Sequence, residues 1–238
     1  GSLIIPSRIE GKPVTIIGSG AFLICERLTS ITIPDSVTSI GRDAFWNCES
    51  LTSITIPDGV TSIGEYVLAF CESLASITIP DSVTSIGEYA FGGCKSLTSM
   101  TIGNSVTSIG EKAFFVCRRL TSITIPDSVT NIGDDAFLGC DGLTSITIGN
   151  GVTSIGADAF GSCRSLTSIT IPDSVNCIGE KAFWNCTSLT AVTFLGDAPK
   201  IGDSAFEKSS PTIYREADAK GWGDTFAGRP VKLISEKP

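Results

Sequence analysis

The sequence contains no histidine at all, and charged residues make up only 18% of its 238 positions. Without histidine the chain lacks the usual general base, the most common metal ligand, and any Ser-His or Cys-His pair for nucleophilic catalysis. No Cys-x-x-Cys spacing of the kind found in zinc sites occurs either. These absences predict a protein that is not an enzyme and holds no metal or other cofactor.

Long apolar runs and positive charge are also missing. No stretch of eighteen apolar residues occurs, so we expect no membrane insertion. The formal net charge of −8 disfavours nucleic acid and anionic membrane surfaces as partners. The Gly1–Ser2 start resembles a cloning remnant, so the lack of a signal peptide gives no information about the compartment.

What the sequence does contain is a repeat of 23 residues. An Ala-Phe pair follows most of the repeated Ile-Gly pairs by three residues, and Val67-Leu68 replaces it once. Eight cysteines keep the same step, from Cys25 to Cys186. The isoleucines of the Ile-Gly pairs are Ile17, Ile40, Ile63, Ile86, Ile109, Ile132, Ile155, Ile178 and Ile201.

One unit illustrates the expected local structure. Leu51-x-x-Ile54-x-Ile56 alternates in the manner of a half-buried strand, with Ser53 and Thr55 pointing outward. Pro57-Asp58 is typical of a turn, and Val60-x-x-Ile63 is a second inward-facing segment. The stretch after Gly64 is long enough for one or two turns of α or 3-10 helix, which we place on the outer side.

Stacking of such units would bury continuous apolar columns that no single unit can bury alone. The sequence therefore predicts an α/β solenoid in a right-handed superhelix, with a parallel sheet on the inner face and short helical segments outside. We expect an N-terminal cap over residues 1–16, repeats over 17–207 and a C-terminal cap over 208–238, all in one continuous domain. The five extra residues near the N-terminus fall in a polar loop around residues 8–12.

The motif L-x-x-I-x-I-P-x-x-V-x-x-I-G-x-x-A-F-x-x-C resembles the BspA-like class of bacterial surface leucine-rich repeats over about residues 3–206. The tail W-G-D-T-F-A-G-R-P-V is similar to the C-terminal segment of such proteins. The resemblance implies a leucine-rich-repeat fold and a secreted or cell-surface protein that attaches to host matrix proteins, to other cells or to itself. The Asn expected soon after the strand motif is replaced by Pro-Asp or Gly-Asn, which places the chain outside the ribonuclease-inhibitor-like subclass.

Two repeated features have competing structural and functional interpretations. The cysteine column predicts either buried reduced thiols that fill space or a disulfide or metal ladder, whereas Cys177 lies off the column and is expected to be exposed. Acidic residues recur in the Pro-Asp turns and after the Ile-Gly pairs. The second set suits the start of a short helix, and calcium binding is the alternative.

The strand positions that face outward form two hydroxyl columns. They either stabilise neighbouring strands as ladders or offer a binding face on the inner side of the solenoid. The candidate residues of this Ser/Thr face are Ser53, Thr55, Ser76, Thr78, Ser99, Thr101, Ser122, Thr124, Ser145 and Thr147.

The two residues after the Phe column differ in every copy, so sequence information is concentrated there. Exposed apolar side chains at these positions would form a rim for a protein partner, and packing onto neighbouring coils is the alternative. The candidate rim residues are Trp46, Phe70, Phe115, Leu138 and Trp184.

Two functions follow from these patterns. The first is a non-catalytic, adhesin-like module that binds a protein ligand, with host extracellular matrix as the expected class of partner. The second is a structural spacer, a self-associating surface element or a consensus-like scaffold without a specific ligand, which the close similarity of the copies favours. Either function is compatible with a monomer or a weak homo-oligomer.

Overall fold

Each 23-residue unit forms one coil of a β-solenoid, with short parallel strands and a segment of consecutive turns. The computed structural model describes residues 1–237. Equivalent strands pair with an offset of one repeat, for example Ser30 with Ser53 and Ile31 with Ile54. The prediction of a parallel-strand solenoid of about nine coils is confirmed.

The strands are short because each coil bends at the Pro-Asp turn and again after the Ile-Gly pair. A 3-10 helix (Ile234–Glu236) follows the last strand. In chain order the strands are β1 (Ser2–Ile4), β2 (Arg8–Ile9), β3 (Lys12–Pro13), β4 (Ile16–Ile17), β5 (Ser30–Thr32), β6 (Ser39–Ile40), β7 (Ser53–Ile54), β8 (Ser76–Thr78), β9 (Ser85–Ile86), β10 (Ser99–Thr101), β11 (Ser108–Ile109), β12 (Ser122–Thr124), β13 (Asn131–Ile132), β14 (Ser145–Thr147), β15 (Ser154–Ile155), β16 (Ser168–Ile171), β17 (Cys177–Ile178), β18 (Ala191–Phe194), β19 (Lys200–Ile201), β20 (Thr212–Arg215), β21 (Thr225–Phe226) and β22 (Arg229–Leu233).

These strands build two sheet faces. The first face carries the Ser-Ile-Thr strands and is divided into four hydrogen-bonded groups, β1-β5-β7, β8-β10, β12-β14 and β16-β18-β20-β22-β21. The second face carries the Ser-Ile strands, with β4-β6 as one pair and β9 to β19 as a continuous sheet of six. Between them Ile63 makes a single bridge to Ile86. The second inward-facing segment of the repeat is therefore a sheet in its own right.

Both ends depart from the repeat. The extra residues near the N-terminus form an antiparallel hairpin of β2 and β3, whose turn residues Glu10 and Gly11 have φ of 49° and 78°. At the other end β22 pairs in parallel with β20 and in antiparallel with β21. The rings of Trp222 and Phe226 lie 5.0 and 5.7 Å from that of Phe194, so this segment adds apolar cover to the last coils.

The core consists of columns of identical side chains running along the solenoid. The phenylalanine column is stacked nearly face to face, with ring centroids 5.0 to 5.5 Å apart from Phe91 to Phe206. Leu68 interrupts the stack after Phe45 and is itself fully buried. Since each ring gains its burial from the coils above and below, the stability of a coil depends on its neighbours.

The prediction of short helices on the outer side is wrong. Residues 42–47 form successive turns in which Asp43 and Asn47 have φ of 56° and 57°, outside the helical region. Alternate amide groups donate to the next coil rather than within the segment: Phe45 to Val67 at 2.9 Å and Asn47 to Ala69 at 2.8 Å. The amides between them, of Ala44 and Trp46, donate within the segment to Gly41 and Asp43 at 3.3 and 3.0 Å. These bonds span three residues and not four, so the segment lacks the bonds of an α-helix.

The helix-dipole explanation of the acidic residues after the Ile-Gly pairs fails for the same reason. Glu65 instead forms an ion pair with Arg42 of the preceding coil, and Glu88 accepts a hydrogen bond from the hydroxyl of Tyr66 at 2.8 Å. These carboxylates therefore make contacts between coils at the surface.

Candidate binding surfaces

The five predicted rim residues, Trp46, Phe70, Phe115, Leu138 and Trp184, all lie on the turn segments and are half-buried. The structure brings Trp46 and Phe70 together edge to face, with ring centroids 6.0 Å apart. Trp184 lies six repeats from Trp46, about 29 Å along the axis at the usual strand spacing. The rim is therefore a series of separate apolar sites and not one continuous patch.

Part of the rim packs onto glycines of the following coil. A Cβ added at Gly93 would lie 2.5 Å from Cδ1 of Phe70, and one added at Gly161 would lie 2.8 Å from Cδ1 of Leu138. Large and small residues therefore alternate between adjacent coils at these variable positions. This complementarity favours the packing interpretation for Phe70 and Leu138.

Two tyrosines extend the aromatic surface and were not among the predicted rim residues. The rings of Tyr66 and Tyr89 are stacked with centroids 5.0 Å apart, and Tyr89 meets Phe115 edge to face at 5.7 Å. The guanidinium of Arg42 lies 5.2 Å from the Tyr66 ring, and the ammonium of Lys112 lies 5.6 Å from the Tyr89 ring. The two tyrosines are thus enclosed between two cations.

A signal for these tyrosines was present in the sequence. They occupy a repeat position that carries charged residues such as Asp43 and Lys112 in other coils. The hydrogen bond that its hydroxyl donates to Glu88 raises the pKa of Tyr66. The aromatic surface of coils two to five, defined as Trp46, Tyr66, Phe70, Tyr89 and Phe115, combines open ring edges with neighbouring opposite charges.

A shallow cavity of about 280 Å³ lies further along the rim, lined by Phe115, Leu138 and the pair Asp141–Arg164 among others. A guanidinium nitrogen of Arg164 is 3.2 Å from a carboxylate oxygen of Asp141. Apolar walls with a charged pair at the edge suit a side chain of a protein ligand.

The ten residues of the Ser/Thr face are all exposed, as the strand pattern predicts. Within residues 1–237 none of their hydroxyls makes a hydrogen bond to another protein group. A ladder of hydrogen bonds exists one residue earlier in five of the units, where threonine hydroxyls donate to the preceding coil at 3.0 to 3.2 Å. Its donors are Thr52, Thr98, Thr121, Thr144 and Thr190.

The neighbouring threonine column, and not these ten residues, therefore makes the hydroxyl hydrogen bonds between coils. The free hydroxyls remain available to a ligand. A cleft of about 290 Å³ lies where β7 and β8 are not paired, lined by Ser53, Thr55, Ser76, Thr78 and the intervening isoleucines.

The cysteine column is buried and reduced from Cys48 to Cys186. Each thiol donates to a phenylalanine or leucine carbonyl of the preceding coil, as Cys117 does to Phe91 at 3.2 Å. Burial raises the pKa of Cys94 and Cys140 to about 12, so these thiols are not nucleophilic at neutral pH. Cys177 is exposed, as predicted.

Across residues 1–237, no group of three His, Cys, Asp or Glu side chains is arranged to hold a metal ion. The only helix in this part of the chain has three residues, so none is long and apolar enough to cross a bilayer.

The coil geometry and the strand motif define a leucine-rich-repeat solenoid. The family model for the BspA type leucine rich repeat region matches in six copies over residues 4–120 and 107–214. The chain belongs to this family. Solenoids of this class usually act by binding other proteins, not by catalysis.

One solved structure supports this assignment. The chain is similar to a Leucine Rich Repeat protein of T. pallidum, at 36% identity and a TM-score of 0.65 over 69% of this chain and 77% of that one. It is also similar to a leucine rich cell surface protein of Faecalibacterium prausnitzii, at 26% identity over 99% of this chain and 88% of that one, with a TM-score of only 0.49. No curated protein sequence gives a significant match.

Proposed function

We propose that this chain is a non-catalytic, adhesin-like module that acts at the bacterial cell surface and binds a host extracellular matrix protein. One observation carries the proposal: the variable side chains of an otherwise uniform repeat are concentrated on the accessible turn segments, where Trp46 and Phe70 meet and Phe115 borders Tyr89. Aromatic rings beside arginine and acidic side chains are typical of the centres of protein interfaces. Surface localisation rests on membership of the family.

The Ser/Thr face is the second binding surface that we propose. Its hydroxyls lack protein partners, and a cleft opens between β7 and β8. Hydroxyl groups bind adaptably but contribute little affinity each, so this face suits a polar or hydrated ligand.

A spacer without a specific ligand is the competing function. The packing of Phe70 on Gly93 and of Leu138 on Gly161 supports the spacer function, because packing alone would then explain which residues occupy these variable positions.

The test is a surface-binding assay of the 238-residue chain on immobilised fibronectin, fibrinogen, collagen and laminin. Three proteins are compared: the wild type, the double variant Trp46→Ala/Trp184→Ala, and Thr101→Glu/Thr124→Glu on the Ser/Thr face. Circular dichroism confirms that all three are folded. Saturable binding that only the tryptophan variant weakens supports the rim, whereas loss with only the glutamate variant supports the Ser/Thr face. Absence of binding to all four ligands favours the spacer.

A further inference from the structure

The residue that follows each cysteine of the column reverses its charge along the solenoid. Coils one to three have glutamate at this position, whereas coils four, five and seven have lysine or arginine. All of these residues are exposed or half-buried. In chain order they are Glu26, Glu49, Glu72, Lys95, Arg118, Asp141, Arg164 and Thr187.

The middle of the rim is therefore basic, although the whole chain has a net charge of −8. Arg119 adds a further positive charge directly after Arg118 and is also exposed. Asp141 is the one acidic residue of the column between coils four and seven. We call Lys95, Arg118, Arg119 and Arg164 the basic stretch.

Two arginines of the basic stretch have no partner in the part of the chain that the structure describes. Arg164 pairs with Asp141 at 3.2 Å, and Lys95 pairs with Glu72 of coil three. Within residues 1–237, the side chains of Arg118 and Arg119 make neither a hydrogen bond nor an ion pair. Because a guanidinium has five N–H donors and no acceptor, these side chains offer donors and positive charge to a ligand.

The rim cavity of about 280 Å³ lies against the basic stretch. Arg118 and Arg164 line it, and Phe115 and Leu138 supply apolar walls. At roughly 30 Å³ for each water molecule, this volume accommodates one side chain of a partner and a few water molecules.

A buried hydroxyl also lines this cavity. Ser162 is only 8% exposed, and its oxygen accepts a hydrogen bond from Nδ2 of Asn185 at 3.1 Å. In the described residues 1–237 the Ser162 hydroxyl donates to no protein group. Buried polar groups in proteins normally have their hydrogen-bonding partners, so this O–H is suited to an acceptor in the cavity.

The polar groups around the cavity are therefore mainly donors. The carboxylate of Asp141 is the exception, and Arg164 neutralises its charge. An ionised carboxyl group accepts hydrogen bonds without donating any, and it forms strong charge-assisted bonds with guanidinium groups. The cavity thus favours an anionic acceptor that is attached to an apolar neighbour.

The length of the basic stretch limits the ligand to a short segment. Lys95 and Arg164 are three coils apart, about 14 Å at the usual strand spacing. An extended peptide covers that distance with about four residues. A longer polyanion such as a sulfated polysaccharide would reach Glu72 and Glu49 in the preceding coils, and it has no apolar side chain for Phe115 and Leu138.

We propose that the basic stretch and its cavity bind a short acidic segment of the protein ligand. A glutamate or aspartate side chain of that segment lies between Arg118 and Arg164 and accepts a hydrogen bond from Ser162. A neighbouring apolar side chain of the ligand contacts Phe115 and Leu138. This assignment rests on the proposed protein-binding function and adds to it the chemistry of the partner.

A titration of the full chain against a labelled peptide, followed by fluorescence anisotropy, tests the assignment without any matrix protein. The probe is Glu-Glu-Phe-Glu-Glu, and the matched peptide Gln-Gln-Phe-Gln-Gln lacks only the charges. We expect saturable binding of the acidic peptide and a dissociation constant at least tenfold higher for the glutamine peptide. Raising the salt from about 0.1 M to about 1 M shortens the screening length from about 10 Å to about 3 Å, so it should weaken the binding of the acidic peptide.

The variant Arg118→Glu/Arg119→Ser gives coil five the Glu-Ser pair that coils two and three have at these positions, so it preserves the fold. We expect its dissociation constant for the acidic peptide to be at least tenfold higher than that of the wild type. Lys200→Glu/Lys220→Ser is the control, because it changes the net charge equally at two exposed lysines outside the basic stretch. This control should bind the peptide as the wild type does.

The outcomes separate this assignment from the proposed function. Peptide binding that only the arginine variant weakens supports the acidic ligand, even if none of the four matrix proteins binds. No saturable peptide binding, or an equal loss in both variants, would overturn it, and matrix binding that the arginine variant leaves unchanged would then leave the proposed function intact. Tighter binding of heparin than of the peptide, lost in the arginine variant, would also overturn it in favour of a sulfated polysaccharide.

Discussion

The hydroxyl of Ser209 donates to the carbonyl of Phe183 at 2.7 Å, in the repeat position where Cys186 donates its thiol to Phe160 at 3.0 Å. The same hydroxyl accepts a hydrogen bond from the amide of Cys186 at 2.8 Å. Serine therefore occupies the last position of the cysteine column and preserves the hydrogen bond to the phenylalanine carbonyl of the preceding coil. The cysteines are thus hydrogen-bond donors to the preceding coil as well as apolar fillers.

Replacement of Ser209 tests this role. Ser209→Ala leaves a buried carbonyl and a buried amide without their partner, which costs about 1–3 kcal/mol of unfolding free energy. Ser209→Cys restores the donor found in earlier coils and should cost less than Ser209→Ala. Urea denaturation measures both variants, and equal losses would show that the hydrogen bond contributes nothing.

The contact of Phe70 with Gly93 gives a second prediction. Gly93→Ala places a Cβ 2.5 Å from the Phe70 ring at a position with φ of 76°. The left-handed conformation alone costs about 1–2 kcal/mol, so we expect the free energy of unfolding to fall by more than that. Phe70→Ala in the same chain should recover the part of the loss that is due to the clash.

Gly64→Ala is the matched control, because its Cβ would make only an ordinary contact of 3.6 Å with Val67. Its unfolding free energy should stay within about 0.5 kcal/mol of that of the wild type. A loss at Gly93 that Phe70→Ala does not reduce would mean that backbone strain alone is responsible.

Buried thiols predict that stability falls at alkaline pH. Burial raises the pKa of Cys94, Cys140 and Cys186 to about 12, whereas an unfolded cysteine titrates near 8.5. The unfolded chain therefore loses these protons first, and the stabilisation present below about pH 8.5 is lost as the pH rises towards 12. Each such cysteine contributes a slope of roughly 1.4 kcal/mol per pH unit in this window.

Urea denaturation between pH 8 and 11 measures how steeply the unfolding free energy falls with pH. Cys94→Ser should reduce that slope by the contribution of one cysteine, roughly 1.4 kcal/mol per pH unit. A stability that is constant up to pH 11 would contradict the burial of the column.

Thiol accessibility gives a fourth prediction. Cys177 is exposed and Cys25 is half-buried, whereas the other seven cysteines are buried. An aromatic disulfide reagent should label Cys177 quickly in the native protein, Cys25 more slowly, and the remaining seven only after denaturation. Cys177→Ser should abolish the fast phase, and fast labelling of three or more thiols would show that the column opens.

Much of the fold follows from the sequence, because the repeat fixes which side chains share a column. The alternation at Ile54 and Ile56 predicted their burial correctly, although the strand itself extends only over Ser53–Ile54. The turn segment was harder, because Asp43 and Asn47 have positive φ that residues other than glycine seldom adopt. The amides of both residues donate to the next coil, and the sequence of a single unit does not indicate these hydrogen bonds.

The candidate surfaces were predicted less completely than the fold. The variable positions led to Trp46 and Phe115, but Tyr66 and Tyr89 were missed because they occur at a position that is mostly charged. The exposure of Thr55 followed from the strand period. Its lack of a hydrogen bond did not, because Thr52, three residues earlier, makes the bond to the preceding coil instead. Contacts between coils decide such details, and the period of the sequence does not specify them.

The central claim is that this solenoid binds a matrix protein through its rim. The most direct measurement is an equilibrium titration of wild type and Trp46→Ala/Trp184→Ala on the four immobilised matrix proteins, with both proteins folded to the same extent. We expect saturable binding to at least one of them and a dissociation constant at least tenfold higher for the variant. Equal binding by the two proteins, or no saturable binding to any of the four, would contradict it.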